Sequence, residues 1–309
     1  MESIRGNTAW FDGSDEDIWA RAKSLAPTSA PVRAQLFAKS RVDPAPTQHR
    51  ETGSADVRDH TGSENADQVR PVPWEKLPLA VPDTQARQSD PRFAAIRNRS
   101  KAVSMAFDLL RTRLLQTLQA NNWTSVAITS PSPRCGSTFV ATNLALSLSR
   151  LASCQTALVD LNFRAPGLAG SMGLIPRSDL RRYLIGELPV ASGLVRYNAN
   201  LALGLAGAPE MASTELLLDP RTTKTLTDLE AALKPDVILY DLPPMLAYDD
   251  VTAFLPHVDG VLLVADGTQT VAAQVAECER MIGDRTKLLG VLLNKARDAV
   301  GTDLRYGDG

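Results

Sequence analysis

The chain has 309 residues, with 33 Lys and Arg against 35 Asp and Glu and a net charge of −2. That length suits one or two ordinary domains, and the near-neutral charge gives no basis for expecting nucleic acid or an anionic membrane surface as a partner. Cys135, Cys154 and Cys278 stand far apart, with no CxxC pair and no histidine spacing suited to zinc, which predicts free thiols in a reducing compartment rather than a disulfide framework.

The opening stretch, MESIRGNTAWFDGSDEDIWARAKS, is polar and acidic where a secretory signal needs an apolar core. No apolar run approaches the roughly 20 residues of a membrane-spanning helix, so a soluble, cytoplasmic protein without direct membrane insertion is expected. Residues 1–100 read as a largely disordered N-terminal region. Between Ser40 and Arg70 there is hardly an aliphatic residue, too little apolar surface to offset the entropy of ordering. Two islands interrupt it, residues 15–25 (DEDIWARAKSL) and 72–81 (VPWEKLPLAV). Either suits a docking peptide for a partner, and for Trp74 the equal alternative is packing back onto the folded domain.

Residues 101–300 carry the pattern of a folded domain, and 301–309 form a short tail. Met105, Leu109, Arg111, Leu114, Leu115 and Leu118 lie on a helical period, predicting a helix over 102–120. Short apolar runs follow at 125–130, 155–160, 201–205, 236–241, 260–265 and 288–293, with helical patterns at 138–151, 213–233 and 270–283. Strands without polar alternation, interleaved with helices, predict an α/β fold. Its doubly wound, mostly parallel sheet is covered on both faces.

The first of these strands runs into SPSPRCGST (130–138) and then a helix. A strand, a tight loop and a helix N-terminus can cradle phosphate, since the loop N–H groups converge and the helix dipole favours negative charge. Against the phosphate-loop pattern GxxxxGK[ST], Gly136 and Thr138 fit. Ser137 occupies the lysine position and Pro131 the first glycine position. Asp160, with Asn162 two residues on, and Asp241 end later strands at the carboxyl edge, where doubly wound sheets bind ligands. Two strand-terminal carboxylates beside such a loop suit magnesium and a nucleotide.

With these residues in place, the stretch from about 104 to 295 resembles the cytoplasmic domain of the bacterial tyrosine kinases of capsule and exopolysaccharide synthesis. The matching pieces, in order, are MAFDLLRTRLL, ITSPSPRCGSTFVATNLALSLSR, ALVDLNFRAPGL, TELLLDPR, DVILYDLPPMLAYDD, HVDGVLLVADGTQT and LLGVLLNKA. The resemblance implies a P-loop NTPase fold of MinD/ParA-like type, ATP and Mg as cofactors, and a membrane polysaccharide co-polymerase (Wzz-like) as partner. Through that partner the protein would sit peripherally at the inner membrane.

Carried over position by position, the resemblance gives Asp160, Asp241 and Arg164 catalytic roles. It places magnesium on Thr138 and Asp241, and the nucleotide on Arg134, Cys135, Gly136, Ser137, Thr138 and Phe139, with Asn294 at the adenine pocket. The departures are as specific. Asn162 replaces a second carboxylate, and the family's assembly pattern Glu-x-x-Arg-x-x-Arg reads Met105, Asp108, Arg111, so at most a weak homo-oligomer is implied. The tyrosine-rich acceptor tail is reduced to Tyr306. A degenerate kinase acting as a regulator is therefore expected. The alternatives are an active autokinase in which Arg134 stands in for the lysine, and a positioning ATPase, although Ser132 holds the position of the extra lysine such ATPases carry. Cys135, inside the loop, reads as a passive small residue or a redox-sensitive thiol.

Overall fold

The computed structural model describes residues 7–11, 72–283 and 285–296. Strand β1 (Asn7–Phe11) comes first. β2 (Val81–Pro82), α1 (Thr84–Ser89), α2 (Pro91–Arg97) and the long α3 (Lys101–Asn121) lead into the central strands. The chain continues through β3 (Ser125–Thr129), α4 (Ser137–Leu148), β4 (Thr156–Asp160), α5 (Leu168–Met172) and β5 (Leu174–Ile175). Next are α6 (Leu180–Leu184), α7 (Val190–Gly193), β6 (Val195–Asn198) and β7 (Leu201–Gly204). It closes with α8 (Ser213–Leu218), α9 (Pro220–Leu233), β8 (Val237–Asp241), α10 (Asp250–Phe254), β9 (Gly260–Asp266), α11 (Ala272–Ile282) and β10 (Lys287–Ala296).

Eight strands form one sheet in the order β1-β10-β9-β3-β8-β4-β7-β6. The run from β10 to β7 is parallel, and the two edge strands, β1 and β6, are antiparallel to their neighbours. Alternate residues of the apolar runs feed two separate cores: Val126 and Ile128 join the layer under α3, α4 and α5, whereas Ala127 faces the layer of α8 to α11. Burial on both faces explains why these strands show no polar alternation. The doubly wound α/β fold expected from the pattern is the fold observed. Among the described residues no helix is long and apolar enough to cross a membrane.

Three readings of the sequence need correction. The expectation of a largely disordered region up to residue 100 fails from residue 72 onward. There the chain straps across the domain: Val72 donates its N–H to Ala232 O at 2.9 Å, and buried Trp74 donates Nε1–H to Leu233 O at 2.9 Å. These carbonyls end α9 and lack partners within it, so the indole caps a helix while filling the core. Trp74 is thus a core residue. Island 15–25, the polar stretch 40–70 and the tail 301–309 lie outside the described residues.

In α3 the buried stripe is Val103, Phe107, Leu110, Leu114 and Leu118, while Met105 and Leu109 are exposed. The helix is as expected but rotated, because Phe107 supplies the largest apolar group. Arg111, the last element and the only one that remains of the assembly pattern, and Asp108, which replaces its first arginine, join α3 to α4 within the chain. Ser147 Oγ donates to Asp108 Oδ1 at 2.6 Å, Arg150 pairs with the same carboxylate, and Arg111 donates to Ser147 O at 3.0 Å. The expected helix over 213–233 is two helices. Pro220 has no N–H to continue the first, and Asp219 caps the second by accepting from Arg221 N at 2.8 Å.

Replacing Trp74 by Ala removes both the buried indole and the cap. An unfolding free-energy loss of about 3–5 kcal/mol is expected, measured by urea titration of the full chain. A loss below about 1 kcal/mol would show that the strap is not part of the core.

Candidate functional site

The site lies at the carboxyl ends of β3, β4 and β8. Helix α4 begins there with Gly136 at its cap position and no side-chain cap, which leaves its first N–H groups available to an anion. Arg134 (φ 67°) and Gly136 (φ 95°) both take the left-handed conformation, a bend that turns successive peptide N–H groups into a concavity. Only glycine suits residue 136. A Cβ there would lie 2.3 Å from Asn294 Nδ2.

A pocket of about 250 Å³ opens in front of the loop, lined among others by Arg134, Gly136, Ser137, Thr138, Asn162, Arg164 and Tyr248. Its basic groups sit on two walls. The Arg134 side chain has no bonded partner among the described residues. Arg164 is held firmly: its guanidinium donates to Asp250 Oδ2 at 3.2 Å, to Met211 O at 3.0 Å and to Thr214 Oγ1 at 3.1 Å, and lies 5.0 Å from the Tyr248 ring centroid. The Asp250 side chain is fully buried and also accepts from Ser213 Oγ. Asp250 was missed in the sequence, where it reads as one more acidic loop residue.

Behind the pocket lie two carboxylates. Parallel pairing of β4 with β8 sets Asp160 opposite Asp241, both with no exposed surface. Asp241 Oδ2 accepts from Thr138 Oγ1 at 2.6 Å, and its Oδ1 has no partner. Burial pushes the Asp241 carboxyl well above the usual range, and the neighbouring Asp160 charge adds to it. Asp160 is different in kind. Its oxygens accept the backbone N–H groups of Asn162, Gly167 and Leu168 at 3.1–3.3 Å. Burial raises its pKa from the usual 3.8 to about 7, against those three donors and the charge of Arg92 on α2.

The structure therefore gathers Arg134, Gly136, Ser137, Thr138, Arg164, Asp160 and Asp241 at one place. Asn162 lines it too, with Oδ1 accepting from Ala165 N at 3.3 Å, so it keeps a turn while lacking the charge. Three others turn away. Cys135 is buried, with its sulfur 3.4 Å from Ser132 Oγ and 3.7 Å from Thr270 Oγ1, which leaves only its backbone to face a ligand and removes the access a redox sensor needs. The Phe139 ring packs edge-on against Phe107. Asn294 Nδ2 donates to Cys135 O at 2.8 Å, behind the loop. Tyr306 lies outside the described residues. Among those described, no cluster of three or more His, Cys, Asp or Glu forms a metal cage. The pairing of Thr138 with a half-satisfied Asp241 suits a magnesium ion that draws its other ligands from phosphate and water.

No protein-family model matches the chain. It is similar to the succinoglycan biosynthesis transport protein ExoP of Rhizobium meliloti (strain 1021), 32% identical over 187 residues, which cover 58% of this chain and 23% of that one. Tyrosine-protein kinase YwqD of Bacillus subtilis (strain 168) is 27% identical, over 55% of this chain and 71% of its own. Tyrosine-protein kinase CpsD of Streptococcus agalactiae is 27% identical over 235 residues, 74% of this chain and 93% of that protein. Of solved structures, the kinase domain of Escherichia coli tyrosine kinase ETK superposes with a TM-score of 0.61 at 20% identity, covering 76% of this chain and 94% of that domain. The VpsO kinase domain does so at 0.56 and 25% identity, covering 65% and 98%. The chain is a homologue of proteins named as bacterial tyrosine kinases, and the resemblance read from its motifs holds.

Because folding raises both buried carboxyl pKa values, the folded protein holds more protons than the unfolded chain between about pH 4 and 7. It loses stability as pH rises through that window. Asp241→Asn is expected to raise the melting temperature of the cation-free protein at pH 8, by about 2–4 °C per kcal/mol gained, and to make little difference at pH 4. Thermal unfolding across this range checks it, and a variant less stable at both pH values would contradict it.

Proposed function

We propose that this homologue of bacterial tyrosine kinases is a nucleotide-binding regulator of capsule or exopolysaccharide production. It is depleted as a kinase and works beside a membrane polysaccharide co-polymerase, at whose inner-membrane site it sits peripherally. One observation carries the reading. The uncapped α4 N-terminus and the Thr138–Asp241 pair are kept, while the position of the loop lysine holds a buried serine, Ser137.

The residues present fit a magnesium-bound polyphosphate. The orphaned Asp241 Oδ1 and Thr138 Oγ1 would hold the metal, the N–H groups of the loop and of α4 would hold phosphate oxygens, and Arg134 and Arg164 would supply positive charge. Bound magnesium neutralises phosphate charge, on which phosphoryl transfer mainly relies. Loss of one preorganised donor costs about 3 kcal/mol, a hundredfold or more in rate. This chain has lost the lysine and, at Asn162, a carboxylate. Binding therefore outlasts turnover.

An active autokinase is the second reading, favoured by one observation: two arginines line the pocket. Phosphotyrosine on the purified protein, with Tyr306 as the acceptor, separates it from the first. The internal use of Asp108 and Arg111 supports a monomer or dimer. A stable octamer on a sizing column would overturn that assembly state.

Calorimetry with ATP and magnesium tests the pocket. Micromolar binding that Thr138→Ala weakens at least tenfold is expected. No heat at millimolar ATP would mean that the fold persists without its ligand.

A further inference from the structure

We propose that Lys295 is a positioning residue for phosphate, clamping the loop from behind into the shape that the missing loop lysine cannot enforce from within. The proposal rests on the nucleotide-binding reading above and adds to it a residue that the motif does not contain.

Lys295 Nζ donates to Arg134 O at 2.6 Å and to Asp266 Oδ2 at 2.9 Å. Its neighbour Asn294 donates to the next loop carbonyl, Cys135 O, at 2.8 Å. Consecutive side chains of a strand point to opposite faces, so two neighbours gripping one loop requires a break in the strand. Lys295 makes that break, with φ at 56° in the left-handed region that a lysine rarely adopts. The turn after β9 is fitted to the same place. Gly267 donates its N–H to Asn294 O at 2.7 Å, and a Cβ on it would stand 3.0 Å from Ala296 Cα. Asp266, almost fully buried, is fixed by Thr268 N at 2.9 Å and Thr268 Oγ1 at 2.6 Å, so the ammonium is held between a rigid carboxylate and the loop.

The effect on the loop follows from the trans peptide, whose C=O and N–H point in opposite directions. The peptide that carries Arg134 O also carries the Cys135 N–H, and the one that carries Cys135 O carries the Gly136 N–H. Pulling both carbonyls toward β9 and β10 turns both N–H groups toward the pocket that Gly136 lines. An ammonium on the carbonyl also polarises its peptide and makes the attached N–H a stronger donor. The ligand class is a polyphosphate, recognised through its oxygens and not through a base.

The test uses the full chain with Lys295→Met, which keeps the stem and removes the charge, and Lys295→Arg. Amide hydrogen exchange over residues 131–137 without ligand is expected to quicken about tenfold in the Met variant and to recover in the Arg variant, with exchange in β3 and β8 unchanged. ATP and inorganic tripolyphosphate should lose affinity equally, about tenfold. Wild-type loop exchange in Lys295→Met would overturn the proposal, as would an Arg variant no better than Met. A loss confined to ATP would also overturn it, by placing Lys295 at the base. If the wild-type chain bound neither ligand, the nucleotide reading would fall, and loop exchange alone would decide the clamp.

Discussion

Two carboxylates share the interior of this protein because β4 and β8 pair in parallel with Asp160 directly across from Asp241. Bringing two such groups out of water is costly unless each finds donors or a cation. The surroundings answer that constraint unequally. Asp160 is enclosed by three backbone N–H groups and so fixes the course of the chain into α5. Asp241 keeps one oxygen on Thr138 and the other unpaired. One aspartate is built into the fold, and its neighbour keeps one buried oxygen without a partner.

The sheet was legible in the sequence because its strands are buried on both faces and written as unbroken apolar runs such as VILYD and GVLLVAD. The loop was legible because Gly136 and Thr138 stand at fixed distances after the first such run. Other features were hidden for physical reasons. Trp74 sits among prolines and polar residues, and its burial depends on α9 carbonyls some 159 positions away, which no local pattern records. The α3 stripe was misjudged because Met105 and Leu109 also obey helical spacing, and only the packing partner selects between adjacent faces.

The site shows the same division. Asp160 and Asp241 were legible from their places at strand ends, and Arg164 from the family resemblance alone. Asp250 and Lys295 were not, since each acts through another residue: Asp250 anchors Arg164, and Lys295 holds a loop carbonyl. Cys135 and Phe139 belong to the motif by position, yet their side chains serve the core. A motif fixes the backbone of a phosphate loop more firmly than it fixes the direction of each side chain.

The first strand closes one edge of the sheet by pairing with β10, and the strap at residues 72–82 is fastened to α9 and to Arg196 of β6. Residues 12–71 are therefore tied to the same body at both ends. A single cut anywhere in that stretch would leave two polypeptides still joined through the pairing of β1 with β10. The nicked protein would still migrate as one particle under native conditions and separate only in denaturant.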